Sequence, residues 1–298
     1  MLQIIPHKKI SLTISVILVL ASILSVVFWG LKLGIDFTGG TYWEVEFLNA
    51  RPDNTAVLEA LSGLGLKDIV TQPTGETGLI LRLKDIPESV HHAALQSLNA
   101  ISPVKDIRFE SIGPTIGQEL KTKAVSAIFL VLVLIIIYIA WAFRKVSQPV
   151  SSWKYGVIAV IALMHDVFIP AGVFAILGHY KGVEIDTLFV TALLTVLGFS
   201  VHDTIVVFDR IRENLHRRPH EDFAENVNKS VNETFARSIN TSLTVFLVLL
   251  AVYFLGGQST QNFALTLIIG VFFGTYSSIF VASPLLVIWS GIKNEKGP

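Results

Sequence analysis

The stretch Thr187–Arg212, TLFVTALLTVLGFSVHDTIVVFDRIR, decides how this chain is read. It begins as an apolar run of the length that crosses a bilayer as one helix, yet Asp203 sits inside it. An ionisable side chain at membrane depth is costly and marks an ion pathway or a buried partner. Counted from Thr187, Asp203 lies about 24 Å along a helix rising ~1.5 Å per residue, toward the end that carries Arg210 and Arg212.

The rest of the chain has the same character. Of its 298 residues 52% are hydrophobic and 15% charged, which excludes an ordinary soluble domain and reads as a polytopic α-helical membrane protein. A net charge of zero gives no sign of a nucleic-acid partner, and the absence of cysteine excludes disulfides and thiolate chemistry. Six runs read as transmembrane helices: Ile10–Leu31, Ala124–Phe143, Tyr155–Gly178, Thr187–Phe208, Ser238–Gly256 and Asn262–Ile292. The first is longer than the ~7–15 residues of a signal-peptide core and is expected to stay as a span. The last is long for one crossing, and Pro284 offers a place to bend or end it. Gly270 and Gly274 within it have the GxxxG spacing that lets another helix approach, in the same chain or in a dimer.

Basic residues set the expected orientation. With the N-terminus cytoplasmic, the inner segments carry Lys8, Lys9, Arg144, Lys145, Lys154, Arg210, Arg212, Arg217, Arg218, Lys229, Arg237, Lys293 and Lys296. The short outer loops carry Lys181. The asymmetry follows the positive-inside rule and places both termini in the cytoplasm.

Residues 34–121 then form an extracytoplasmic α+β domain between helices 1 and 2. The preceding segment is 1–33, and 122–298 form a five-helix transmembrane bundle. Thr41–Phe47 alternates as a strand, and Asn54 is placed to cap a helix through Leu64. Leu66–Thr71 and Gly78–Leu83 read as strands around the turn PTGET. Pro87 starts a helix to about Ala100, and Val104–Glu110 closes as a strand. The order βαββαβ is that of a ferredoxin-like domain.

Arg237 stands at the head of the fifth apolar run, where an antiparallel neighbour brings it within reach of Asp203. The pair is either a fixed bridge or one that opens as Asp203 gains and loses a proton, since burial and an arginine act in opposite directions on a carboxylate's proton affinity. His202 lies about 100° around the helix and either relays protons or makes one neutral hydrogen bond. Asp209, Arg210, Arg212 and Glu213 sit where the helix leaves the membrane, with spacings for local pairing. His165 and Asp166 interrupt the third span; at least one needs a partner on another helix, as an anchor or as part of the same polar path. No metal-ligand spacing, Walker sequence or nucleophile triad appears, so neither cofactor nor enzymatic activity is expected.

Several segments resemble the SecD/SecF family of protein-export membrane proteins, within the resistance-nodulation-division superfamily. GIDFTGG after the first span (Asp36, Gly39 and Gly40 among its residues) resembles that family's glycine signature. SIGPTIGQEL, with Gly113, Pro114 and Gly117, resembles the element leading into its second span. ALMHDVFIPAGVFAILG resembles its His-Asp motif, and TALLTVLGFSVHDTIVVFDRIREN its fourth span, with His202 where Asn is usual. Size and topology favour the SecF branch. The resemblance implies a partner SecD beside the SecYEG channel, often with YajC. It also implies use of the proton-motive force for late-stage export of unfolded preprotein across a bacterial or archaeal cell membrane. In the family, the positions matching Asp203 and Arg237 are implicated in proton conduction, and some relatives couple to sodium. Two other readings stay open: a small ion-coupled exporter of lipid or small molecules from the same superfamily, and a non-transporting scaffold of the translocon.

Overall fold

The computed structural model describes residues 2–143, 150–218 and 220–291. Four of the basic residues behind the expected orientation, Arg144, Lys145, Lys293 and Lys296, lie outside them, as does the expected end of the last span at Ile292. The chain forms two compact units, one of Met1–Lys32 with Ser126–Pro298 and one of Leu33–Val125. Among the described residues six helices are long and apolar enough to cross a membrane, and a small antiparallel sheet with shorter helices completes the fold.

The spans are α1 (Lys8–Trp29), α5 (Pro114–Ala142), α6 (Ser152–Lys181), α7 (Thr187–Arg217), α8 (Phe223–Leu255) and a last one that starts as α9 (Gln258–Ser277). In the helical unit α6, α7 and the last span are the most buried, while α1, α5 and α8 keep apolar faces exposed. Helix ends are set by capping groups. Asp186 accepts the Phe189 amide at 2.9 Å to start α7, and Gly182, in the left-handed region, ends α6. Asp222 accepts the amides of Ala224 and Glu225 and starts α8 well ahead of the apolar run at Ser238. The hydropathy pattern misses this extension because the first turns of α8 are polar.

Close approaches between spans are made at small residues. A Cβ on Gly270 would lie 2.1 Å from a Val196 methyl, and one on Gly274 would lie 3.1 Å from Ser200 Cβ, so the GxxxG face packs on α7 of the same chain. Gly172 of α6 meets Ser22 of α1 in the same way. The last span does not end at Pro284. It continues through a π-helical turn (Ser278–Ala282) into α10 (Ser283–Gly291), and Ser283 Oγ donates to the Ser278 carbonyl at 2.9 Å. The widened turn accommodates a proline that has no amide to give.

The second unit holds a short helix α2 (Ile35–Thr38) and then β1 (Gly40–Phe47), α3 (Asn54–Ser62), β2 (Val70–Thr74), β3 (Gly78–Leu83), α4 (Glu88–Ile101) and β4 (Val104–Ile112). The sheet order is β2-β3-β1-β4, with every neighbouring pair antiparallel. Alternation in β1 buries Trp43, Val45 and Phe47 against Val57 and Leu61 of α3 and Ala94 and Leu98 of α4. Two local expectations shift. The cap of α3 is Asp53 rather than Asn54. The second strand falls at Val70–Thr74, later than Leu66–Thr71, because Asp68 turns through positive φ before it. Pro73 is tolerated there because β2 is an edge strand.

Candidate functional site

The polar residues of α6, α7, α8 and α9 do not scatter; they meet inside the bundle. Asp166 is fully buried, and its two oxygens take three contacts. Oδ1 lies 2.9 Å from His165 Nδ1, while Oδ2 accepts Ser200 Oγ of α7 at 2.5 Å and Ser277 Oγ of α9 at 2.8 Å. The expected divergence of the adjacent His165–Asp166 pair is therefore only partial: the imidazole reaches back to its neighbour, and the carboxylate finds the other helices. The His165 ring stacks on Tyr276 at 5.9 Å, and the Tyr276 hydroxyl meets Ser15 Oγ and the Ser11 carbonyl of α1. These bonds lace four helices together.

One turn along α7 from Ser200 lies Asp203, 3% exposed. Its carboxylate faces the hydroxyls of Ser238 on α8 and Thr275 on α9, and Thr275 is itself bonded to Ser242 of α8. Even so, Asp203 Oδ2 and Ser238 Oγ are buried without a well-formed hydrogen bond, as is His165 Nε2. A buried carboxylate oxygen left in that state is costly, and Asp203 is the acid in this seam whose bonding is incomplete.

The expected Asp203–Arg237 pair is not formed within this chain. Arg237 is exposed, and among the described residues no cation pairs with Asp203. The buried stripe of α8 runs through Ser230, Thr234, Ser238 and Ser242, and Arg237, one residue before Ser238, falls beside that stripe. Ser238 takes the place in the bundle that Arg237 was expected to fill. His202 is also exposed.

At the far end of α7, Arg212 pairs with Asp209 at 2.6 Å, the local pairing its spacing suggests. Arg210 does more than join an interfacial turn. It bonds Glu213 at 2.5 Å and crosses to Glu233 of α8 at 2.6 Å, where Asn214 joins it. The residues that sequence reasoning missed are hydroxyls: Ser200, Ser238, Ser242, Thr275 and Ser277. Their signal was available in Ser200, Asp203 and Thr204, which share one helical face at i, i+3 and i+4.

In the α+β unit the two glycine-containing motifs pack on each other. Gly39 has φ +73°, and a Cβ there would lie 2.7 Å from Pro114 Cα. A Cβ on Gly117 would lie 2.8 Å from the Gly39 nitrogen. Gly40 also has positive φ, and a Cβ there would lie 3.0 Å from the Leu83 carbonyl oxygen, while the Gly113 carbonyl accepts the Gly117 amide at 3.1 Å. Asp36 lies in the first turn of α2, between the end of α1 and Gly39.

The family model described as "Protein export membrane protein SecD/SecF, C-terminal" matches residues 92–291, and "SecD/SecF GG Motif" matches residues 25–47. The chain is 44% identical to protein translocase subunit SecF of Thermobaculum terrenum, covering 97% of this chain and 94% of that protein. It is 41% identical to the SecF of Anaerolinea thermophila at the same coverage. Among solved structures it resembles SecDF, a translocon-associated membrane protein from Thermus thermophilus, with a TM-score of 0.83 and 33% identity over 97% of this chain. SecDF in its super-membrane-facing form gives a TM-score of 0.71 at 32% identity over 99% of this chain. The chain spans 39% of the length of each of those SecDF chains. It belongs to the SecF branch of the SecD/SecF family of protein-export membrane proteins.

Proposed function

We propose that this chain serves as the SecF-type subunit of the Sec translocon's accessory complex, promoting late-stage preprotein export with SecD beside the SecYEG channel, with YajC as a further partner. The observation that carries the mechanism is the buried, under-bonded Asp203 carboxylate in a seam of hydroxyls. A proton arriving there supplies the missing bond, and its departure leaves a charge in need of a partner. Each elementary charge crossing the membrane contributes ~2.3 kcal/mol per 100 mV, enough to bias a two-state packing of α7 against α8. Sodium fits the same oxygens, and separate gradients distinguish the two ions.

Arg237 is the counter-charge in this reading. It stands on a helix with exposed apolar residues such as Leu243, Leu247 and Val248, a surface that suits a second membrane subunit. The SecDF chains that this one resembles are much longer, which supports SecD as that subunit. His165 and Asp166 anchor the bundle, and His202 flanks the acid without bonding to it. Asp209, Arg210 and Arg212 fix the end of α7.

The domain reading is 1–33, 34–121 and 122–298, with residues 34–121 outside the membrane and both termini in the cytoplasm. The two compact units and the basic-residue asymmetry support it. The βαββαβ order with strand order 2-3-1-4 supports a ferredoxin-like class for the outer domain. There it handles emerging polypeptide and performs no chemistry. The test is preprotein translocation into vesicles holding this chain with its SecD. Asp203→Asn is expected to remove the stimulation by an imposed gradient while assembly is retained; full stimulation in that variant refutes the reading.

A further inference from the structure

A second cluster, in the α+β unit, has no part in ion coupling. Helix α4 opens with ESVHH, which puts Glu88, His91 and His92 at i, i+3 and i+4 on one face. Glu88 and His92 are exposed, whereas His91 is buried. The His91 ring is held between Phe109, stacked at 3.8 Å, and the edge of Trp43 at 4.9 Å. Behind it, Nε2 lies 3.0 Å from Asp106 Oδ2, and the other oxygen of Asp106 accepts Trp43 Nε1–H at 3.0 Å. The Nε2 contact is short but poorly directed for a hydrogen bond. In front, Nδ1 lies 3.3 Å from Glu88 Oε1, and His92 Nε2 lies 3.5 Å from the same oxygen.

One imidazole thus has a carboxylate at each nitrogen. A neutral ring has a single proton to give, so one nitrogen turns a lone pair toward an anion. We propose that Glu88, His91 and His92 bind a divalent transition-metal ion of the zinc type, with Asp106 as the carboxylate behind the ligating histidine. Zinc ligands at ~2.0–2.1 Å in tetrahedral geometry stand about 3.3–3.4 Å apart. The Glu88–His91 and Glu88–His92 separations already match that edge. All three donor atoms lie within 4.8 Å of one another, and rotation of the exposed His92 closes the third edge. Asp106 Oδ2 stands 3.0 Å behind Nε2, the place a carboxylate takes behind a ligating histidine. Three protein donors leave the fourth position to water, on the exposed side of the helix. The Glu-x-x-His-His spacing lies in the sequence, but its supporting carboxylate, Asp106, comes from β4 and joins it only in the fold.

The experiment is zinc titration of the full chain, purified without a histidine tag and stripped with a chelator. Cobalt(II) absorption reports the geometry. One equivalent of zinc is expected to bind and to raise the thermal unfolding midpoint. Glu88→Gln and His92→Ala, both at exposed positions, are expected to weaken binding at least tenfold and to remove the tetrahedral cobalt bands. Asp106→Asn is expected to weaken it about 10–100-fold through the ring it orients. Absence of saturable binding overturns the proposal, and so does an affinity that Glu88→Gln and His92→Ala leave unchanged.

Discussion

Ser277 Oγ donates to Asp166 Oδ2 at 2.8 Å, tying the last span to the third through a carboxylate that water does not reach. Ser200 of α7 donates to the same oxygen, so both neighbouring helices bond the acid. In the proposed function Asp166, on α6, is therefore an anchor, in contrast to Asp203, one turn along α7 from Ser200. Ser277→Ala is expected to cost about 1–3 kcal/mol, the range for a buried polar group that loses a partner, read as a lower unfolding midpoint in detergent. Gradient-driven export should survive in that variant. Loss of coupling with unchanged stability would move Asp166 from anchor to relay.

Gly270 packs closely on Val196, and a Cβ there would lie 2.1 Å from a Val196 methyl. Gly270→Ala is expected to destabilise by about 1–3 kcal/mol, as overpacking does. Adding Val196→Ala removes the opposing methyls and should recover much of the loss. A double variant no better than the sum of the two singles would show that the contact is not limiting.

Gly39 separates backbone strain from packing. Gly39→Ala meets both a positive φ and the Pro114 backbone, whereas Gly75→Ala, also at positive φ, meets open space. The first is expected to cost several-fold more than the ~1 kcal/mol of the second. Equal losses in thermal unfolding of the two variants would contradict the motif-on-motif packing.

Tyr42, on β1, has its phenol pushed from 10.0 up to about 12 by burial first and by the neighbouring Glu44 carboxylate second; Arg108 and Arg82 act against them. A raised folded-state value means that the neutral phenol is favoured by the fold. Its contribution is complete below pH 10 and is lost as the pH rises toward 12. Tyr42→Phe should therefore flatten the alkaline fall in stability across that window. An unchanged fall would assign it to other groups.

Much of this architecture was legible in the residues. The spans follow from uncharged runs, and the strands of the α+β unit follow from alternation such as TYWEVEF. The misses share a physical cause. The start of α8 depends on Asp222 accepting two amides, a capping event that a hydropathy pattern does not register. Which face of α8 turns inward is decided by tertiary packing, and that packing aims Ser238 at Asp203 and leaves Arg237 exposed. Serines and threonines inside apolar runs look like neutral filler until their partners on other helices are known. The Asp36, Gly39 and Gly117 motifs were visible as resemblance, yet their mutual packing is a tertiary fact.

In the proposed function Asp203 carries the coupled ion. Vesicles holding this chain with its SecD, loaded with pH-sensitive and sodium-sensitive dyes, measure it under separate proton and sodium gradients. The expected result is flux of one ion in the wild type and its loss in Asp203→Asn, with Ser277→Ala retaining flux. Undiminished flux through the Asp203→Asn complex would contradict the account and leave that carboxylate a structural residue.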